Sequence, residues 1–494
     1  MRINIETLET ITSIVKNIPY TEEGVLPKPI EYVRLWVLFL ATILVIYLLP
    51  QVFNYVFFLI LFVLFARSNR DYLWLAYIIL LNYPPFGFFT EGSREAAYRL
   101  PLFSFGAGLS FSAQMIFLFI GLVKAFLRKN KVESYFVNHY RLLLLYLALL
   151  AAIALIAYKP SIGVFVDGVK NAFNLAFIFI IYKLIVTRED KYKFLFILLP
   201  AVFLILLDAC YFLITGGDYI YNLFNPANPR RVLPLGIEAT GEINIRFVLM
   251  GFHLSYLIFI FSLSYSFLSK NKSYFLLAAL SAFIAIMAAA LRSWFVIYSF
   301  ALFFFLIYGL GKMKHNVTLV ILFLLLILPI IQTTTGSATF SGAFQRISTV
   351  FTLGEESSAA TQQISAKITR RLPQQLEYIQ ENPVTGWAFT EKQGDIDVGN
   401  IALIVEVGFV GFFIFLWFWF TYINILRKHI DSFGSKDAKR ALKMLIVLFL
   451  GMLLSHFTTN AVFMIYMGVF MGTLVFITEF IIEEAKIYDK EYGT

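Results

Sequence analysis

The chain has 494 residues, 60% of them hydrophobic and 18% aromatic but only 14% charged, with a mean hydropathy of +0.78. A soluble domain carries about 25% charged residues, so this chain cannot cover its apolar surface with polar groups, and lipid is its expected solvent. The net charge of +9 does not call for nucleic acid, because a bundle with basic cytoplasmic loops reaches such an excess by itself. The single cysteine, Cys210, excludes an intramolecular disulfide framework and a thiolate metal cluster.

Residues 1–30 lack an apolar core followed by a small-residue cleavage site, so no cleavable signal peptide is expected. Leu8, Ile11, Val15 and Ile18 fall at helical spacing, which fits a short interfacial helix; a disordered tail fits as well. A spanning helix needs roughly 20 apolar residues. Such runs occur near 33–49, 51–67, 72–91, 104–127, 142–158, 163–186 and 193–215, and again near 244–268, 273–291, 293–311 and 316–332. The last three lie near 400–425, 441–458 and 461–482. The predicted fold is all-α, a polytopic transmembrane bundle of about fourteen spans. Its parts are an amphipathic cytoplasmic segment (1–30), a bundle with an outward loop at 216–243 (31–332), a long, partly helical extracytoplasmic loop (333–399), and terminal spans with a cytoplasmic tail (400–494).

Lys and Arg in the short connections predict the orientation. Arg67 and Arg70, Lys124 to Lys131, Arg188 to Lys193, Lys270 and Lys272, Lys312 and Lys314, and Arg427 to Arg440 all fall in one alternate set of connections. That set is expected to be cytoplasmic, with both termini inside. The two long connections then share the opposite, outward side.

Arginines on that outward side run against the charge bias. Arg230 and Arg231 follow two Asn-Pro breaks that favour turns, and Arg246 stands at the start of the next span. These loop cations are ligands or are solvated and paired with Glu238 or Glu242. Arg292 sits between two apolar runs, where an arginine deep in hydrocarbon costs about 2.5–3.5 kcal/mol. It either faces a wet, anion-binding cavity or snorkels to the headgroups. Arg346 follows a Thr/Ser/Gly-rich stretch. Residues 364–380 then predict a helix with Ile364, Ile368, Leu372, Leu376 and Ile379 on one stripe, Lys367, Arg370 and Arg371 beside it, and Pro373 as a kink or a second start. Asn382-Pro383 ends that helix and Gly386 turns the chain. Asp397 and Asn400 precede the next span, as ligands or as helix caps. Gly408 and Gly411 fit close helix packing.

No phosphate loop, dinucleotide fingerprint or HExxH motif occurs, so neither nucleotide chemistry nor a metal site is expected. His253 and His456 read as core histidines, and Asp208 as the clearest buried carboxylate.

Over roughly residues 220–415 these pieces resemble the bacterial O-antigen polymerase and O-antigen ligase superfamily, the N-terminal half matching only as hydrophobic spans. In that family a large periplasmic loop carries an arginine-bearing helix, an N-P-x-x-G segment, a polar residue, and then a span with G-x-x-G. Here they are Arg370 or Arg371, Asn382-Pro383-Val384-Thr385-Gly386, the Asp397/Asn400 cluster, and Gly408-Phe409-Val410-Gly411. The resemblance implies metal-independent, cofactor-free glycosyl transfer from an undecaprenyl (polyprenyl) pyrophosphate-linked oligosaccharide outside the bacterial cytoplasmic membrane, in cell-envelope polysaccharide biosynthesis. Membrane lipid, a chain-length regulator and a flippase are the implied partners; nucleic acid is not. It assigns Arg292, Arg370 and Asp397 to catalysis, and Arg246, Arg230, Arg231, Arg371, Arg346 and Asn400 to substrate binding. The ligases carry a histidine where this chain has Asp397 and Val398, which favours a polymerase. A ligase and a lipid-linked oligosaccharide flippase are the alternatives.

Overall fold

A computed structural model of the protein describes residues 29–82, 102–104, 110–132, 134–215, 234–237, 243–245, 252–269, 272–288, 292–309, 372–392, 399–456 and 467–492. Their regular structure is helical apart from two short antiparallel hairpins, β1 (Leu102–Ser104) with β2 (Ser110–Ser112) and β3 (Pro234–Ile237) with β4 (Ile243–Ile245). Five helical segments are long and apolar enough to cross a membrane: Pro29–Ile46, Val137–Tyr158, Ile162–Leu184, Arg188–Tyr211 and Gly399–Ser432. Large apolar side chains stand exposed along the helices, Phe126 and Phe420 at 70% each. Water would penalise such a surface, whereas hydrocarbon does not. The expected interfacial helix at 8–18 and the span near 316–332 lie outside the described residues.

Proline and short polar breaks divide the apolar runs into helices. Pro50 separates α1 (Pro29–Leu48) from α2 (Gln51–Arg67), and α3 (Asp71–Asn82) follows after a tight turn. Ser112 caps α4 (Ala113–Leu127), its hydroxyl accepting from Met115 N. Beyond α5 (Val137–Ile153) the chain continues as a π-helical turn to Tyr158. The run near 163–186 divides into α6 (Ile162–Phe173) and α7 (Ala176–Leu184), and Pro200 separates α8 (Arg188–Leu198) from α9 (Ala201–Thr215). Thr187 caps α8 and Glu189 and Asp190 occupy its first turn, where carboxylates suit the helix dipole. The remaining helices are α10 (Phe252–Tyr265), α11 (Lys272–Ala288), α12 (Arg292–Gly309), α13 (Leu372–Glu381), α14 (Gly399–Ser432), α15 (Lys436–His456) and α16 (Gly468–Tyr492). The runs on either side of Arg292 are therefore two helices, with Arg292 opening the second.

Ion pairs gather many helix ends at one end of the bundle. Arg188 forks onto Glu484 at 2.7 and 2.9 Å, and Lys191 holds Glu483 at 2.7 Å, joining the start of α8 to the last turns of α16. Glu479 accepts from Ser134 Oγ and Tyr135 N at 2.8 Å each, which ties in the start of α5. His429 of α14 and Lys486 of α16 both reach the Tyr135 hydroxyl. Asp489 accepts from Ser435 N ahead of α15. Burial, followed by the Asp437 charge, pushes the nearby Tyr488 phenol above its usual range. Lys124 caps the carbonyls of Phe65 and Ser68 and pairs with Asp71, so the ends of α2 and α4 meet the start of α3. This is the basic end. Its opposite is the far end.

Two close approaches align the central helices. Gly468 and Gly472 place α16 against α7: a Cβ on Gly472 would lie 2.8 Å from Ile178, and one on Gly468 would strike the Asn174–Leu175 backbone. Such small-xxx-small spacing lets helices pack backbone to backbone. Ile297 of α12 fills the space beside Gly451 of α15. Phe259–Tyr298 at 4.1 Å and, just beyond the end of α10, Phe267–Phe305 at 5.1 Å show that α10 and α12 run side by side in the same direction. The start of α12 thus lies at the far end, alongside the last turns of α15.

Breaking the Arg188–Glu484 fork leaves a buried carboxylate uncompensated, so Arg188→Ala is expected to cost about 3 kcal/mol. The double change Arg188→Met with Glu484→Met should recover most of that loss. Thermal unfolding in detergent reads both; equal destabilisation by the single and double variants would contradict the assignment.

Candidate functional site: a loop seated in a broken helix

The far end is organised by a break in α14. At Gly408 the backbone turns to φ 65°, ψ −177°, a region essentially restricted to glycine. Gly399 and Trp419, on opposite sides of the break, both lie against His456. The two arms therefore fold back towards one another at Gly408. The expected span at 400–425 is not one straight helix, and Gly408 serves to break it rather than only to permit packing.

A helix break strands backbone groups, and in a membrane interior each unpaired one costs several kcal/mol. The chain supplies the missing partners from residues 382–392. Pro373 is the second residue of α13, where its fixed φ favours initiation, and Asn382-Pro383 ends that helix. Asn382 then shapes the turn: its amide donates to Tyr158 Oη at 2.8 Å and to Gly386 O, and its Oδ1 accepts from Thr385 Oγ1 at 2.9 Å. Gly386 takes φ 65° and lies so close to the break that a Cβ there would be 2.6 Å from Glu406 O.

The next residues hydrogen-bond to the broken helix in both directions. Trp387 N donates to Val405 O at 2.8 Å and Ala388 N to Glu406 O at 2.7 Å. In return Phe409 N donates to Pro383 O at 2.8 Å and Val410 N to Val384 O at 3.4 Å. Tyr146 Oη, from α5, donates to Val407 O at 2.7 Å and stands 3.3 Å from Val384 O. Gly411 makes room for that ring, since a Cβ there would lie 2.9 Å from Tyr146.

Side chains hold the outside of the loop. Trp387 Nε1 donates to Tyr378 O at 2.8 Å, and Lys392 pairs with Glu381 over the Trp387 and Tyr378 rings. Phe389, also at positive φ (65°), is buried against Gly168 of α6. The apolar stripe expected on 364–380 is described only from Leu372 onward. There Leu376 is exposed and the polar Gln375 is the buried residue, at 3%. With lipid as solvent, an apolar side chain need not face the protein, so periodicity did not mark the packed face.

Among the residues assigned from sequence, Arg292 opens α12 at the far end. Asn400 lies in the first turn of α14, half-buried, with a buried Oδ1 that has no hydrogen-bond partner among the described residues. Arg230, Arg231, Arg246, Arg346, Arg370, Arg371 and Asp397 lie outside the described residues; the first three flank the β3–β4 hairpin in sequence. His253 and His456 are buried against Phe470 and Trp419, as core histidines are. Asp208 is buried and engaged. No cluster of three or more His, Cys, Asp or Glu with metal-ligand geometry occurs among the described residues.

Sequence reasoning passed over Glu406. It is the only charged residue between Asp397 and Arg427, a signal plain in the sequence but masked by the glycines beside it. Its carboxylate has no hydrogen bond or ion pair among the described residues, while its backbone carbonyl is held by the loop.

An all-helical protein with helices long and apolar enough to cross a membrane, carrying a structured loop locked into a broken helix, is the class these features define. No family model matches the chain, and no curated protein matches it.

The joint accounts for two graded outcomes. Gly408→Ala would force a side chain onto Val384 O in a glycine-only conformation and is expected to release the loop, read as rapid proteolysis within 382–392. Tyr146→Phe removes one hydrogen bond and should cost only about 1 kcal/mol, leaving the loop protected. Equal protease resistance of Gly408→Ala and wild type would refute the lock.

Proposed function

We propose that the protein is a polymerase-type glycosyltransferase that joins polyprenyl-pyrophosphate-linked oligosaccharides on the outer face of the bacterial cytoplasmic membrane. The reading takes the basic end as cytoplasmic, with both termini there and about fourteen spans. The far end then faces outward. Attack by an acceptor hydroxyl on the anomeric carbon of the donor breaks the glycosyl–phosphate bond, and the lipid pyrophosphate leaves. The pyrophosphate linkage already carries the driving force, so no nucleotide is needed. Developing charge on the leaving group calls for preorganised cations. Guanidinium forks match phosphate oxygens, which is the role proposed for Arg292 and Arg370, with Arg246, Arg230, Arg231, Arg346 and Arg371 holding the substrate.

The observation that carries this reading is the lock itself. The N-P-x-x-G segment and the G-x-x-G helix, remote in sequence, form one hydrogen-bonded unit at the far end, the end from which α12 starts with Arg292. A flippase or ion-coupled transporter would use the freed carbonyls of a broken helix to coordinate ions. Here Val405 O, Glu406 O and Val407 O are each taken by Trp387, Ala388 and Tyr146. The break is a rigid fixture, which suits an enzyme that must hold two substrates still.

Purified protein given a lipid-linked oligosaccharide in liposomes with chelator present should lengthen the glycan. Arg292→Ala and Arg370→Ala should each lower the rate about 100-fold or more. Movement of substrate between leaflets without lengthening would instead identify a flippase, and full activity of the double variant would remove both arginines from the site.

A further inference from the structure

We infer that Glu406 is the catalytic proton acceptor for the sugar hydroxyl, an assignment that rests on the transferase reading above. A carboxylate inside an apolar helix is costly and is retained where it faces a partner or a wet cavity. Glu406 is half-buried beside the break, and its carboxylate meets no donor or cation among the described residues.

Its position is set by the lock. The carbonyls of Val405, Glu406 and Val407 are each held, which fixes the backbone that carries the side chain. Glu406 follows Gly399 by seven positions on the same arm, nearly two helical turns, and so projects on the face that Gly399 presents to His456. That face looks towards the far ends of α15 and α12. His456 is the titratable group on α15 at that face, and Arg292 begins α12.

A second observation points to a ligand. Gln375 and Asn400, on the two helices flanking the lock, each bury a side-chain oxygen that lacks a hydrogen-bond partner among the described residues. Buried acceptors need donors. Gln375, Asn400 and Glu406 are acceptor side chains on the elements joined at the lock, and a molecule rich in hydroxyl donors, such as a saccharide, would complement them. In the transfer, the acceptor oxygen bonds to the anomeric carbon as the glycosyl–oxygen bond to phosphate breaks. That electron pair stays on the pyrophosphate oxygen, the hydroxyl proton passes to the Glu406 carboxylate, and water later removes it. Glu406 thus supplies the general base of the proposed transfer.

The test uses the full-length protein in liposomes with a lipid-linked oligosaccharide. Glu406→Gln keeps the side-chain shape and replaces a carboxyl group with a neutral amide, so the variant is expected to fold. Its kcat should fall at least 100-fold with KM little changed, within the range for loss of a general base. Glu406→Ala should regain part of the rate on addition of formate, which a purely structural role would not produce. If wild type lengthens the glycan and Glu406→Gln keeps its kcat, or changes KM alone, the assignment to Glu406 is overturned and the transferase reading stands. If wild type lengthens no lipid-linked glycan, the transferase reading falls and takes this inference with it.

Discussion

Pairing of backbone polar groups is the constraint on which this structure depends. Water would satisfy the carbonyls freed at Gly408 at little cost, but an apolar interior offers no such partner. The break exists because residues 383–388 and Tyr146 provide donors and acceptors in matching positions. A glycine is needed at Gly386 and at Gly408 for two reasons at once: both lie at φ 65°, and each occupies the space where the other's Cβ would be.

The two ends of the bundle are built on different physics. At the basic end, long charged side chains join helix termini through ion pairs such as Arg188–Glu484 and Lys124–Asp71. At the far end the described contacts are mainly backbone hydrogen bonds and aromatic packing, with Lys392 and Glu381 outside them. Surface ion pairs contribute little individually, but Glu484 and Asp71 are largely buried, which makes those pairs structural. The far end is fixed in shape by backbone pairing, and Asn400 and Gln375 each keep a buried side-chain oxygen without a partner among the described residues.

Much of the architecture was legible in the sequence. Apolar length marked most of the helices from α1 to α12, because a spanning helix satisfies its own backbone and depends little on its neighbours, but it did not show that the runs near 163–186 and 193–215 each divide in two. Asn382-Pro383 and Gly386 were read as a helix stop and a turn, and the structure has them so. The break at Gly408 was not legible. A G-x-x-G pair inside an unbroken apolar run has the same pattern whether the glycines pack helices or reverse the chain. Gln375 was missed because an apolar stripe marks the packed face only when water is the alternative.

The sequence alone determined the solvent, the helical class and the segregation of basic residues, since each follows from composition and from local pattern in units of one helix. Tertiary structure alone decided that residues 382–392 complete a helix they do not belong to, and that a solitary carboxylate at position 406 stands beside their joint. Those outcomes depend on which donors meet which acceptors across distant parts of the chain, and hydropathy carries no record of such pairing.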